Sequence, residues 1–212
     1  MTALTNAYCT DTDVQTEWQP GQARDDNYQQ KLIVSINAAA RQIDSYCGRS
    51  EHGFWIDTAV QTRTFMADDP WCCDIPMGIA STTGLIVKVD TNGDGTYPTT
   101  LTLNTDFLLA PFDADKRGWP WTEIRIIRSS SNYFTPSAYG RPNVQVTAKF
   151  GFPSVPDKVL KANIVQAVRL FQTSGAPFGS AGVGLDGAVL TMRSRLQPDV
   201  EALLQEFVVV YA

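Results

Sequence analysis

A chain of 212 residues, 43% hydrophobic and 18% charged, is long enough for one well-buried core or two small ones, and its composition is that of a folded globular protein rather than a disordered one. No apolar run approaches the roughly 20 residues needed to cross a bilayer. A net charge of -5 supplies no basic footprint for neutralising phosphates, so nucleic-acid binding by the whole surface is disfavoured.

The charge imbalance is N-terminal: residues 1–60 carry eight acids against four bases, 61–153 nine against eight, and 154–212 five against five. The opening MTALTNAYCT lacks the basic and apolar regions of a signal peptide, so a cytoplasm-like setting is expected. A short helix is predicted after Thr10, carrying Val14 and Trp18, with Pro20 and Gly21 breaking it. A longer helix follows Asp25 and Asp26. Its stripe is Leu32, Ile36, Ala40, Ile43 and Cys47, and Gly48 is its stop.

Beyond Gly48 the period changes from helical to alternating for about a hundred residues. The strand candidates are Ala59–Phe65, Leu85–Val89, Thr100–Leu103, Phe107–Leu109, Trp121–Ile127 and Val144–Phe150. In the last, Val144, Val146, Ala148 and Phe150 share one face while Gln145, Thr147 and Lys149 share the other. No helical pattern separates these segments, which points to an antiparallel sandwich or a small barrel. Residues 128–142, with Tyr133, Phe134 and Tyr139, read as a long loop, either packed on the β module or touching another subunit.

Two helices are expected near the C-terminus. The first opens on a capping box formed by Ser154 and Asp157, with Pro156 just inside it, and carries Leu160, Ile164, Ala167, Val168 and Phe171. The second starts at Pro198 and carries Val200, Leu203, Leu204, Phe207, Val208 and Tyr211. Between them, residues 174–197 form a glycine-rich arm too poor in large apolar groups to bury itself, so it is expected to gain order from a partner. Its candidate contact residues are Pro177, Phe178, Gly179, Val189, Leu190, Arg193, Arg195 and Leu196. The expected fold class is α+β: a small helical bundle from residues 1–52 and 154–212, an inserted antiparallel β domain at 53–153, and the extended arm.

Motifs for chemistry are sparse. Asp90, Asn92 and Asp94 copy the opening of a calcium loop, but the twelfth position is Leu101 rather than a bidentate glutamate, so a hairpin turn is the better reading. Gly182 to Gly187 match a dinucleotide fingerprint only in letters, because a helix and not a strand precedes them. Cys9, Cys47, Cys72 and Cys73 lack paired metal-ligand spacing and read as buried or free thiols. His52, the single histidine, reads as solvated on a surface turn, and the doublets Asp25-Asp26 and Asp68-Asp69 as caps and turns. Neither catalysis nor a cofactor is expected. Trp55, Trp71, Trp119 and Trp121 support a rival reading, a calcium-dependent carbohydrate-binding β module, since an indole stacks on a sugar ring.

The order of parts resembles the head-tail connector, or adaptor, proteins of long-tailed bacteriophages and gene transfer agents, actinobacteriophage adaptors in particular. The resemblance rests on Ser45-Tyr46-Cys47-Gly48-Arg49, Val87-Lys88-Val89-Asp90, Asp106-Phe107-Leu108-Leu109 and Phe150-Gly151-Phe152-Pro153-Ser154-Val155-Pro156. It rests further on Ala176-Pro177-Phe178-Gly179 through Gly187-Ala188-Val189, then Gln197-Pro198-Asp199-Val200 and Leu203-Leu204. The resemblance implies a structural virion protein at the capsid portal vertex, assembled in the host cytoplasm. It would form a ring, commonly a dodecamer, beneath the portal protein, close the filled head, and receive a stopper or tail protein while DNA passes through without specific binding. The final VVVYA departs from the basic ending such proteins carry.

Overall fold

The computed structural model describes residues 3–18, 25–49, 52–67, 69–135, 140–174, 180–183, 189–191 and 196–209. The chain forms two compact units, Met1–Phe54 with Val155–Ala212, and Trp55–Ser154.

In the helical unit, α1 (Asp11–Trp18) starts on a reciprocal cap: the Thr10 hydroxyl accepts the Asp13 amide at 3.1 Å and the Asp13 carboxylate accepts the Thr10 amide at 2.8 Å. Helix α2 (Asp26–Tyr46) is capped by Asp25, whose carboxylate accepts the Tyr28 amide at 2.7 Å. Its stripe Leu32, Ile36, Ala40 and Ile43 is fully buried, and Gly48 at φ 69° takes the left-handed turn that ends it. Helix α4 (Asp157–Thr173) packs on α2. Leu32, Ile36, Ala39, Val14, Ile164 and Ala167 share one core, and Phe171 closes its end against Trp18 and Tyr28 with ring centroids 5.7 and 4.6 Å away.

Two helix ends differ from expectation. Pro156 itself is the N-cap of α4 and no side chain caps the helix, so Ser154 lies too early for a capping box. The Pro156 carbonyl instead takes the Val159 and Leu160 amides at 2.9 and 3.0 Å. Helix α5 (Pro198–Leu204) stops short of Tyr211: a 3-10 turn at Gln205–Phe207 leads to extended Val208. The β-branched run Val208-Val209-Val210 is a poor helix former, and the Val209 amide finds a better partner in the Cys47 carbonyl at 3.0 Å.

The second unit is one antiparallel sheet in the order β1 (Gln61–Phe65), β6 (Val144–Phe150), β2 (Cys72–Val89), β5 (Trp121–Ile126), β4 (Phe107–Ala110), with β3 (Thr99–Leu101) paired to the end of β2. A short helix, α3 (Ala114–Arg117), follows β4. The antiparallel α+β class holds, but the sheet is open and not a closed barrel. Its organising strand is β2, which pairs β5 from Cys72 to Ile79 and β6 from Ile79 to Val89, with register shifts on either side of Ile79. Such irregularities bend a strand and let one sheet fold around its own apolar face. That face buries Ile75, Ile79, Val87, Phe107, Ile124, Phe134, Val146 and Phe150. The alternation in β6 is complete: Val144, Val146, Ala148 and Phe150 are buried, and the residues between them are half-exposed.

Candidate interaction surface

The arm carries a hairpin. Strands β7 (Ser180–Val183) and β8 (Val189–Thr191) pair antiparallel, with Ser180 opposite Thr191 and Val183 opposite Val189. They form a separate two-stranded sheet that joins no other strand among the described residues. Two strands this short are marginal on their own in water, because so few cross-strand pairs offset the cost of ordering the backbone. Of the predicted contact residues, Val189 and Leu190 lie in β8 and half-buried Leu196 lies just before α5. Pro177, Phe178, Gly179, Arg193 and Arg195 lie outside the described residues.

The β unit exposes an edge. Gln61, Thr62 and Thr64 of β1 are open to solvent, and Val60 and Met66 at its two ends are 42% and 47% exposed. Beside them on the outward face, Ile86 is 44% exposed, opposite Thr147, whose hydroxyl meets that of Thr62 at 2.8 Å. The opposite edge is less accessible: Phe107, Leu109 and Ala110 of β4 are buried, and the Phe107 carbonyl already accepts the Asn104 amide at 2.8 Å. Phe112 beyond β4 is 65% exposed between clefts of about 600 and 580 Å³. The neighbouring Arg125 is engaged in a two-bond pair with Glu123, both bonds 2.8 Å long.

A solved chain from the neck of an empty GTA (gene transfer agent) particle, computed with C6 symmetry, superposes on this one with a TM-score of 0.56 at 15% identity. The match covers 100% of this chain and 95% of that one. The two share a fold. Neither a protein-family model nor a curated protein sequence matches this chain.

The remaining sequence candidates are built into the fold rather than gathered at a reactive centre. Asp90 turns its carboxylate into its own loop, where Oδ1 accepts the Asn92 and Gly93 amides at 3.0 and 2.7 Å and Oδ2 the Gly95 amide at 2.8 Å. Asp94 likewise takes the Thr96 amide and hydroxyl. These are the bonds of a self-tied turn. The indoles are half-buried: Trp71 and Trp121 pack on the β core, and Trp119 lies against Phe152 with centroids 6.2 Å apart. Phe134 anchors its loop, its ring in the core and its amide on the Pro70 carbonyl at 3.0 Å, while Tyr133 beside it is 54% exposed. Asp68 and Tyr139 lie outside the described residues. Cys9, Cys47 and Cys73 are buried thiols outside any disulfide; burial pushes Cys9 and Cys47 up to about 12.

His52 departs from the surface-turn expectation, being only 6% exposed with Nδ1 3.4 Å from the Gly53 carbonyl. It belongs to a polar node that apolar periodicity does not report. The Tyr8 hydroxyl donates to Asp44 and accepts the Phe54 amide at 3.0 Å, and Arg41 pairs with Asp44 at 2.9 Å. Burial raises the Asp44 carboxyl above its ordinary range, against the opposing pull of Tyr8, Arg41 and His52. In the β unit the balance is reversed. Burial acts to raise Asp90, yet the Gly95, Gly93 and Asn92 amides outweigh it and hold the carboxyl low; the Thr102 amide, Ser130 and Asn132 do the same for Asp106.

These carboxyls should therefore act in opposite senses on acidification. Asp90 and Asp106 contribute stability above the unfolded carboxyl value of about 4 that is lost as pH falls through their lowered folded values. Asp44, raised in the fold, costs stability as pH rises from about 4 through its folded value, so on acidification this group relieves the helical unit. Hydrogen exchange resolved by segment across this range should show β2 to β4 losing protection before α2. Parallel loss in both units would refute the assignment.

Proposed function

We propose that this chain is a structural head-tail adaptor of an actinobacteriophage-like particle. Copies form a ring between the portal protein and the next connector or tail protein, close the DNA-filled head and continue its channel. The observation that carries the reading is the end-to-end fold likeness to a particle-neck chain, with a short hairpin in the arm that lacks a third strand among the described residues. A segment that is not self-sufficient suits docking to a neighbour, and repetition around a ring lets a modest contact count many times. The acidic balance suits a DNA channel, because a wall of net charge -5 per copy does not retain phosphates. The arm docks on the portal and on the neighbouring copy, with Pro177, Phe178, Gly179, Val189, Leu190, Arg193, Arg195 and Leu196 as its contact residues.

Deletion of residues 175–195 should abolish co-sedimentation with purified portal rings while leaving the circular dichroism of both units in place. Undiminished association would refute the anchoring role. No observed geometry favours the calcium-dependent carbohydrate reading: the Asp90 oxygens already serve loop amides and the tryptophans are packed.

A further inference from the structure

We propose that the β7–β8 hairpin of one copy adds to the β1 edge of the next copy, extending that copy's sheet; this rests on the ring reading above. The edge is built to accept a strand. The Phe65 carbonyl accepts the Asn143 amide at 3.1 Å, so Phe65, and by strand alternation Arg63, direct their backbone groups inward to β6. Thr62 and Thr64 then direct theirs to the open side. The charge on β1, Arg63, does not guard that edge: it is drawn inward, paired with Asp57 at 3.4 Å and lying 4.9 Å from the Phe150 ring centroid. A strand edge without lysine, proline or bulge is a template for pairing with another chain.

The hairpin complements this edge as an isolated two-stranded ribbon and by the charges in the sequence that flanks it. Ser180–Val183 and Val189–Thr191, four and three residues long, are each short enough to lie along the five residues of β1. Laid antiparallel on β1, β7 leaves β8 running parallel to it, so the chain emerges from β8 at the Met66 end. The sequence after β8 carries Arg193 and Arg195, and the sequence after Met66 carries Asp68 and exposed Asp69. Main-chain bonds supply affinity in such strand addition, and flanking side chains set register. Because donor and acceptor are different parts of one chain, the contact is head-to-tail and closes by rotation into a ring.

The test uses the full chain with half-buried Cys72 changed to serine, the other thiols being buried. A Thr62→Cys preparation is mixed with an Ala181→Cys preparation and treated with bismaleimidoethane. Cross-linked pairs of chains should exceed those from an exposed Thr83→Cys control by about tenfold, since pairing raises the local thiol concentration. Adding Thr64→Pro to the first chain, which removes an outward amide, should abolish the excess. Rings seen by electron microscopy without the cross-link would overturn strand addition and leave the ring reading standing. A link formed only within a doubly substituted chain would overturn the second copy as occupant. A chain that stays monomeric with and without portal rings would overturn both.

Discussion

Asn163→Leu should cost about 2–5 kcal/mol, because it orphans two buried amides at about 1–3 kcal/mol each. Asn163 lies in α4 with no exposed surface. Its Oδ1 accepts the Tyr8 and Cys9 amides, both at 3.1 Å, and its Nδ2 donates to the Ile36 carbonyl of α2 at 3.2 Å. One side chain thus ties the N-terminal segment to both long helices. Leucine fills a similar volume and satisfies none of these groups, so apolar burial does not compensate. The melting temperature should fall by on the order of 10 °C, and exchange protection should drop first in α2 and α4. Gln166→Leu, three residues on, is the control. It removes one bond to Gln42 at 2.7 Å and an acceptor that has no partner, and should cost under about 1 kcal/mol. Equal losses for the two variants would show that helix packing, not the Asn163 bonds, holds the N-terminal segment.

That asparagine also marks the limit of periodicity as a guide. The apolar stripe of α4 was legible because each of its members faces the same core. Asn163 sits among them, but its partners lie 155 and 154 residues away, and no local pattern encodes such a distance. Asn143 is a similar case. Its side chain brackets the Ala67 backbone at 2.7 and 3.0 Å and reaches the Thr135 carbonyl at 2.8 Å, joining β6 to the end of β1 and to the 128–142 loop. His52 was misread because local polarity suggests a surface turn, whereas its neighbour Phe54 is fully buried against Tyr8 and Phe207. Of the candidate interaction surface, only the arm's position could be read from the sequence. Glycine content identified the arm, but its hairpin and the open edge of β1 are facts of strand order. Strand order depends on pairings between segments far apart in the chain, to which composition is blind.

The largest departure from the strand expectations is the first half of β2, and Gly78 explains both the misreading and the bend. Residues 72–84 contain Pro76, Gly78 and Gly84, which ordinarily punctuate a strand, yet Cys72–Val89 runs without a break. Gly78 takes φ 75° where β2 passes from β5 to β6, and a Cβ placed there would lie 2.5 Å from Pro120 Cβ and 2.8 Å from its Cγ. Gly78→Ala should therefore cost about 1–2 kcal/mol for the left-handed backbone and about 1–3 kcal/mol more for the clash with the Pro120 ring. Gly93 has φ 71° with nothing within 4 Å, so Gly93→Ala carries only the backbone part; Gly84, at φ 75° with Val60 Cγ2 at 3.3 Å, falls between. Urea unfolding of the three variants should rank them Gly78, Gly84, Gly93 in decreasing loss. A Gly78→Ala loss no greater than that of Gly93→Ala would mean that β2 passes Pro120 without the close approach, and that its bend has another cause.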